Sequence, residues 1–121
     1  MAPKYRIRYV DPHFNERFAK LPQEMQKRAL QLLGEVANTA PLKGRPCGYQ
    51  HGTGNLSDCR KLYFDDTDDR DPRYRLVYRV LPSEQAPAEI EVITVGLKYT
   101  TTADGERETV YERVGQLLNR I

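Results

Sequence analysis

The sequence predicts one α+β domain, a small β-sheet with helices packed on one face, and three observations carry that prediction. Apolar residues recur at helical spacing near both ends of the chain, from Pro22 to about Asn38 and from Val110 onward. Three sheet-like runs stand between them, at roughly 59–65, 73–82 and 89–98. A length of 121 residues is ordinary for a single domain and sufficient for a modest core without metal or disulfide support. The order β, α, α, β, β, β, α follows over residues 1–121, with no internal repeat.

Tyr5 to Val10 alternates in polarity and suits a first strand. Asp11-Pro12 has the form of an N-cap followed by proline at the first helical position, opening a short helix that carries Phe14 and Phe18. Leu21-Pro22 ends it and starts a second helix, in which Met25, Ala29, Leu32, Leu33, Val36 and Ala37 form an apolar stripe. With so short a joint the two helices form a hairpin. Pro41 to Asp58 contains four glycines and two prolines without periodicity, and reads as a loop.

In the next two strands, period-two alternation sends Lys61, Tyr63 and Asp65 to one face and Arg60, Leu62 and Phe64 to the other. It likewise sends Arg73, Arg75, Val77 and Arg79 to one face and Tyr74, Leu76, Tyr78 and Val80 to the opposite one. One face of each strand suits a core, while the other carries cations and a phenol that a core cannot absorb cheaply. Pro82 to Pro87 reads as a hairpin turn, and the apolar run IEVITVG as a strand with neighbours on both sides. Thr100 to Glu108 is polar and turn-rich; Thr109 and Glu112 then form a capping box before a helix striped by Val110, Val114, Leu117, Leu118 and Ile121.

Composition excludes several classes. A formal charge of +2 and a pI near 8.6 are only mildly basic, so a nucleic-acid role rests on where the charge sits. Five aspartates (65, 66, 68, 69 and 71) occupy one loop and leave the remainder more basic than the total implies. The bland reading of that loop is a solvated hairpin tip. The opening segment MAPKYRIRYV has no unbroken apolar stretch of the kind a signal peptide needs, and no run approaches a membrane span, so a cytoplasmic protein is expected. Cys47 and Cys59 lack close paired spacing; they read as structural thiols, and a zinc site with His51 between them lacks a fourth ligand.

The strands LSDCRKLYF, RYRLVYRV and EVITVG, the basic residue after the last of them, and the late VYERV helix together resemble the RelE/ParE superfamily of toxins from type II toxin–antitoxin systems. The likeness spans nearly the whole chain. It implies a twisted, mainly antiparallel sheet with the first strand beside the others, an N-terminal helical hairpin and a C-terminal helix. The superfamily contains ribosome-dependent endoribonucleases that cut mRNA in the decoding site, and gyrase poisons that need no nuclease residues. A toxin fold retained only as an antitoxin-binding module is a third class.

The RelE-type site, carried over residue by residue, falls on Lys61, Arg75, Lys98 and Tyr111. Arg60, Tyr63, Arg73 and Arg79 are the accompanying RNA-binding candidates. Tyr63 stands where a second lysine is frequent, Lys98 where an arginine is usual, and the connection from Lys98 to Tyr111 is longer than in the pattern. The resemblance implies a cognate antitoxin, a small protein whose helix or disordered segment covers the cationic groove, and no metal, cofactor or membrane. Cutting RNA in this way requires activating a ribose 2′-hydroxyl, stabilising a dianionic phosphorane and protonating the leaving 5′-oxygen. Arg75 suits the clamp, Tyr111 or Lys61 the base and Lys98 the acid.

Overall fold

The structure, a computed structural model, describes residues 4–50, 52–67, 69, 71–101, 105 and 107–120. Strand β1 (Arg6–Tyr9) is followed by helices α1 (Phe14–Ala19) and α2 (Gln23–Asn38). Strands β2 (Arg45–Gln50), β3 (Gly54–Phe64), β4 (Tyr74–Ser83) and β5 (Ala86–Leu97) come next. The short strands β6 (Tyr99–Thr101) and β7 (Arg107–Thr109) lead into α3 (Val110–Leu117). The five long strands form one sheet in the order β1-β5-β4-β3-β2, antiparallel except where β1 runs parallel to β5. Among the described residues no helix is long and apolar enough to cross a membrane.

Two cores lie on opposite faces of this sheet, which corrects the expectation of helices on one face only. Met25, Ala29, Leu33 and Val36 of α2 pack on Leu62, Phe64, Leu76, Tyr78 and Val92. Across the sheet, Val110, Tyr111 and Val114 of α3 cover Cys47, Leu56, Cys59, Val77 and Ile93. Sequence alternation places Val77 among arginines, and α3 is what makes an apolar residue there favourable. Both cysteines are buried free thiols in this second core. Among the described residues no group of three His, Cys, Asp or Glu could hold a metal ion; His51 and Asp68 lie outside those residues.

Other boundaries also shift. The segment read as a loop after Pro41 holds β2, an edge strand hydrogen-bonded to an extended β3. Proline and glycine obscured it, because an edge strand tolerates both where an interior strand does not. Tyr78, fully buried, closes the approach to β2: its hydroxyl accepts from Gly44 N at 2.9 Å and donates to Pro41 O at 2.8 Å. Helix α1 begins three residues later than Asp11, which instead accepts from His13 N and pairs with Arg17. The polar stretch after Lys98 contributes β6 and β7, paired Tyr99 to Thr109. The capping box at Thr109 and Glu112 is present; Ile121 lies outside the described residues.

A bulge in β5 sets which residues reach the site. Tyr78 pairs with Val92 but Val77 with Thr94, so Ile93 is an additional residue in the ladder. Strict alternation from Ile90 would turn Lys98 toward the helical hairpin. The extra residue reverses that phase, so Gly96 lies opposite Arg75 and Lys98 emerges on the arginine's face.

Candidate functional site

The site is built from rows of residues crossing β3, β4 and β5 on the α3 face. Tyr63 pairs with Arg75 and Arg75 with Gly96; Lys61 pairs with Val77 one row away. Position 96 is held at φ +153°, a backbone conformation that favours glycine, and a Cβ there would lie 3.6 Å from Arg113 Nη1. Directly opposed residues in an antiparallel pair share a face, so sequence alternation and register agree in bringing Lys61, Tyr63 and Arg75 together.

Arg75 is the centre of the arrangement and is only 7% exposed. Its Nε donates to the Tyr111 hydroxyl at 3.1 Å, and its Nη1 donates to the carbonyls of Pro72 and Tyr74 at 2.7 and 3.0 Å. Among the described residues no buried side-chain nitrogen or oxygen lacks a partner, so Nη2, for which no acceptor is found among them, retains contact with solvent. The guanidinium is thus fixed on two edges and presents the third. Its carbon lies 4.1 Å from the Tyr63 ring centroid, and Lys61 Nζ approaches the same ring at 5.7 Å and the Tyr111 ring at 5.1 Å.

Tyr63, Arg75, Lys98 and Tyr99 line an open cleft of about 570 Å³, together with Arg73 and the rim residue Asp71. Lys98 is held at both backbone groups: its N–H donates to Arg73 O and its carbonyl accepts from Val110 N, each at 2.8 Å. That second bond fixes the start of α3, and with it Tyr111, against the end of β5. The long connection between Lys98 and Tyr111 folds into the β6–β7 pair and returns Thr109 opposite Tyr99. Its length does not displace the tyrosine.

The other cationic candidates are placed differently. Arg60 projects to the opposite face, where Nε and Nη2 bind Glu84 at 2.8 and 3.0 Å and Nη1 binds the Leu42 and Gly44 carbonyls. It locks the β2 approach to the β4–β5 turn and contributes nothing to the cleft. Arg73 lines the cleft, but its Nε and Nη2 bind Asp65 at 2.9 Å each. The same guanidinium holds the Asp65 carboxyl well below the usual carboxylate range. Asp65 therefore closes the base of the acidic loop rather than serving as a free charge. Arg79 sits two rows away, engaged with Asp58 and with buried Glu91, which Arg8 also holds.

Tyr111 is 2% exposed and lies beneath Arg75, not at the cleft surface. One cation was missed by sequence reasoning: Arg45, on β2, pairs with Lys61 and stands 5.8 Å from the Tyr63 ring. Only recognition of β2 as a strand would have revealed it. Tyr99, with Arg107 and Lys98 against its ring, was also not anticipated.

No protein-family profile matches the chain. No curated protein sequence matches it either. Among solved structures it is similar to the E. coli toxin RelE, a double arginine-to-alanine mutant in the free state, with TM-score 0.52 and 22% identity over 78% of this chain and 83% of that one. It is also similar to the RelBE2 toxin–antitoxin complex of Mycobacterium tuberculosis, with TM-score 0.52 and 19% identity over 79% of this chain and 99% of the other. At these identities the likeness is one of fold: the chain has the mixed α+β architecture of the RelE toxins.

Proposed function

We propose that this chain is the toxin of a type II toxin–antitoxin pair and cleaves ribosome-bound mRNA as an endoribonuclease. The observation that carries the reading is the fixation of Arg75 by Tyr111 and two carbonyls at a cleft that Tyr63 and Lys98 also line, with Lys61 against the Tyr63 and Tyr111 rings. A cation held before substrate arrives stabilises a phosphorane without reorganisation, the most effective use of charge in catalysis.

In this scheme Lys61 removes the proton of a ribose 2′-hydroxyl. The 2′-oxygen bonds to phosphorus, Arg75 holds the developing dianion, and the P–O5′ bond breaks as Lys98 donates a proton. Burial of Tyr111 favours Lys61 over it as base and gives the phenol a positioning task. The acid role suits Lys98 because a guanidinium scarcely deprotonates. A cognate antitoxin silences the protein by covering the cleft, and both act in the cytoplasm.

Analysis of the product ends tests the chemistry. RNA cut on programmed ribosomes should carry a 2′,3′-cyclic phosphate and a 5′-hydroxyl, and a 2′-deoxy nucleotide at the cut site should abolish cleavage. Cleavage of the deoxy substrate at the normal rate would rule the scheme out.

A further inference from the structure

The cleft has two aromatic walls, and the mechanism uses only one. Tyr63 carries Arg75 against its ring; facing the same cleft, Tyr99 is 43% exposed, with the Arg107 guanidinium carbon 3.7 Å from its centroid and Lys98 Nζ at 5.1 Å. Among the described residues neither Lys98 nor Arg107 has a carboxylate partner within 4 Å, and both cations lie against the Tyr99 ring. The β6–β7 pairing places Tyr99 and Arg107 on one side of the hairpin, diagonal to each other, where cation and ring meet.

We propose that Tyr99, backed by Arg107, is a nucleobase-stacking platform that holds a nucleotide flanking the phosphate bound at Arg75 and Lys98. The inference rests on the nuclease reading and adds a second point of grip on single-stranded RNA. An aromatic ring with a guanidinium beside it and lysine next in sequence meets the needs of one nucleotide, a π-face for the base and cations for its phosphates. Stacking of this kind is tolerant of base identity, so the platform fixes register on the strand and not sequence.

The chain contains no tryptophan, so Tyr99→Trp introduces a single reporter at the platform. A short single-stranded 2′-O-methyl oligoribonucleotide, which cannot be cleaved, should quench the emission of that tryptophan, and an abasic oligomer with the same number of phosphates should not. In anisotropy titrations Tyr99→Phe should retain wild-type affinity. Tyr99→Leu should weaken binding by roughly fivefold to a hundredfold, the worth of one base stacked on one ring, while leaving abasic binding unchanged. Absence of quenching, equal loss on both oligomers, or unchanged affinity in Tyr99→Leu overturns the platform. If Arg75→Ala still weakens binding in that case, the nuclease reading survives; if the wild-type protein binds neither oligomer, the platform falls and the nuclease reading stands or falls separately, on cleavage of ribosome-bound mRNA.

Discussion

The Tyr111 hydroxyl accepts a hydrogen bond from Arg75 Nε at 3.1 Å, joining the C-terminal helix to the fourth strand beneath the cleft. The bond spans 36 residues of sequence and fixes a second edge of a guanidinium whose Nη1 the Pro72 and Tyr74 carbonyls already hold. Removing the hydroxyl while keeping the ring should separate orientation from packing. Tyr111→Phe is expected to remain folded, with a stability loss of about 1 kcal/mol, and to lower the single-turnover cleavage rate with little change in RNA affinity. A rate equal to wild type would remove Tyr111 from the account.

Arg75→Lys preserves charge but cannot bond Tyr111 and two carbonyls while presenting a further donor. Cleavage by this variant should fall by about a hundredfold or more, the usual loss for one preorganised donor. Circular dichroism confirms that the fold is retained, and single-turnover kinetics measures the effect.

Much of this arrangement was legible in the sequence, for identifiable reasons. Alternation alone put Lys61 and Tyr63 on one face and Arg75 on the same side of its own strand, and the capping box at Thr109 located α3 to the residue. Phase and pairing were not legible. The extra residue at Ile93 that turns Lys98 toward Arg75 has no local signature, because IEVITV is apolar on both sides. Strand β2 was hidden by Pro46 and Gly48, and Arg45 with it. The apparent equivalence of Arg60, Arg73, Arg75 and Arg79 dissolves only when partners are known: three are engaged by Glu84, Asp65 or Glu91, and Arg75 is not ion-paired among the described residues.

The C-terminal segment should show an acid-sensitive attachment. Hydrogen bonding to Arg120 holds the Asp58 carboxyl at about 2, below its ordinary value of 3.8. Because the folded value is depressed, this stabilisation is complete above the unfolded value and is lost as pH falls through the folded one, between about pH 4 and pH 2. Asp58 is half-exposed, so the gain is below about 1 kcal/mol. Asp58→Asn should flatten the acid limb of the stability curve in that window, as followed by urea unfolding at stepped pH.

Tyr78→Phe should be among the most damaging conservative substitutions. It strands the Gly44 N–H and the Pro41 carbonyl at a buried position, and each unsatisfied group costs about 1–3 kcal/mol. Denaturant unfolding with an unchanged slope and a lowered midpoint is the expected result.

The two thiols should be inert in the native protein. Burial pushes Cys47 up to about 11 and Cys59 up to about 12, so neither is appreciably ionised near neutrality. Iodoacetamide at pH 8 should label neither within the time in which it labels both in urea, as read by intact mass.

Primer extension on mRNA in a reconstituted translation reaction decides whether the chain is a ribosome-dependent nuclease, comparing the wild-type protein with folded Arg75→Ala and with ribosome-free RNA. Cuts that require ribosomes and disappear in the variant are expected. Wild-type protein that leaves the mRNA intact, or Arg75→Ala that cuts as well as wild type, would contradict the nuclease reading; in the former case a gyrase supercoiling assay is the next experiment.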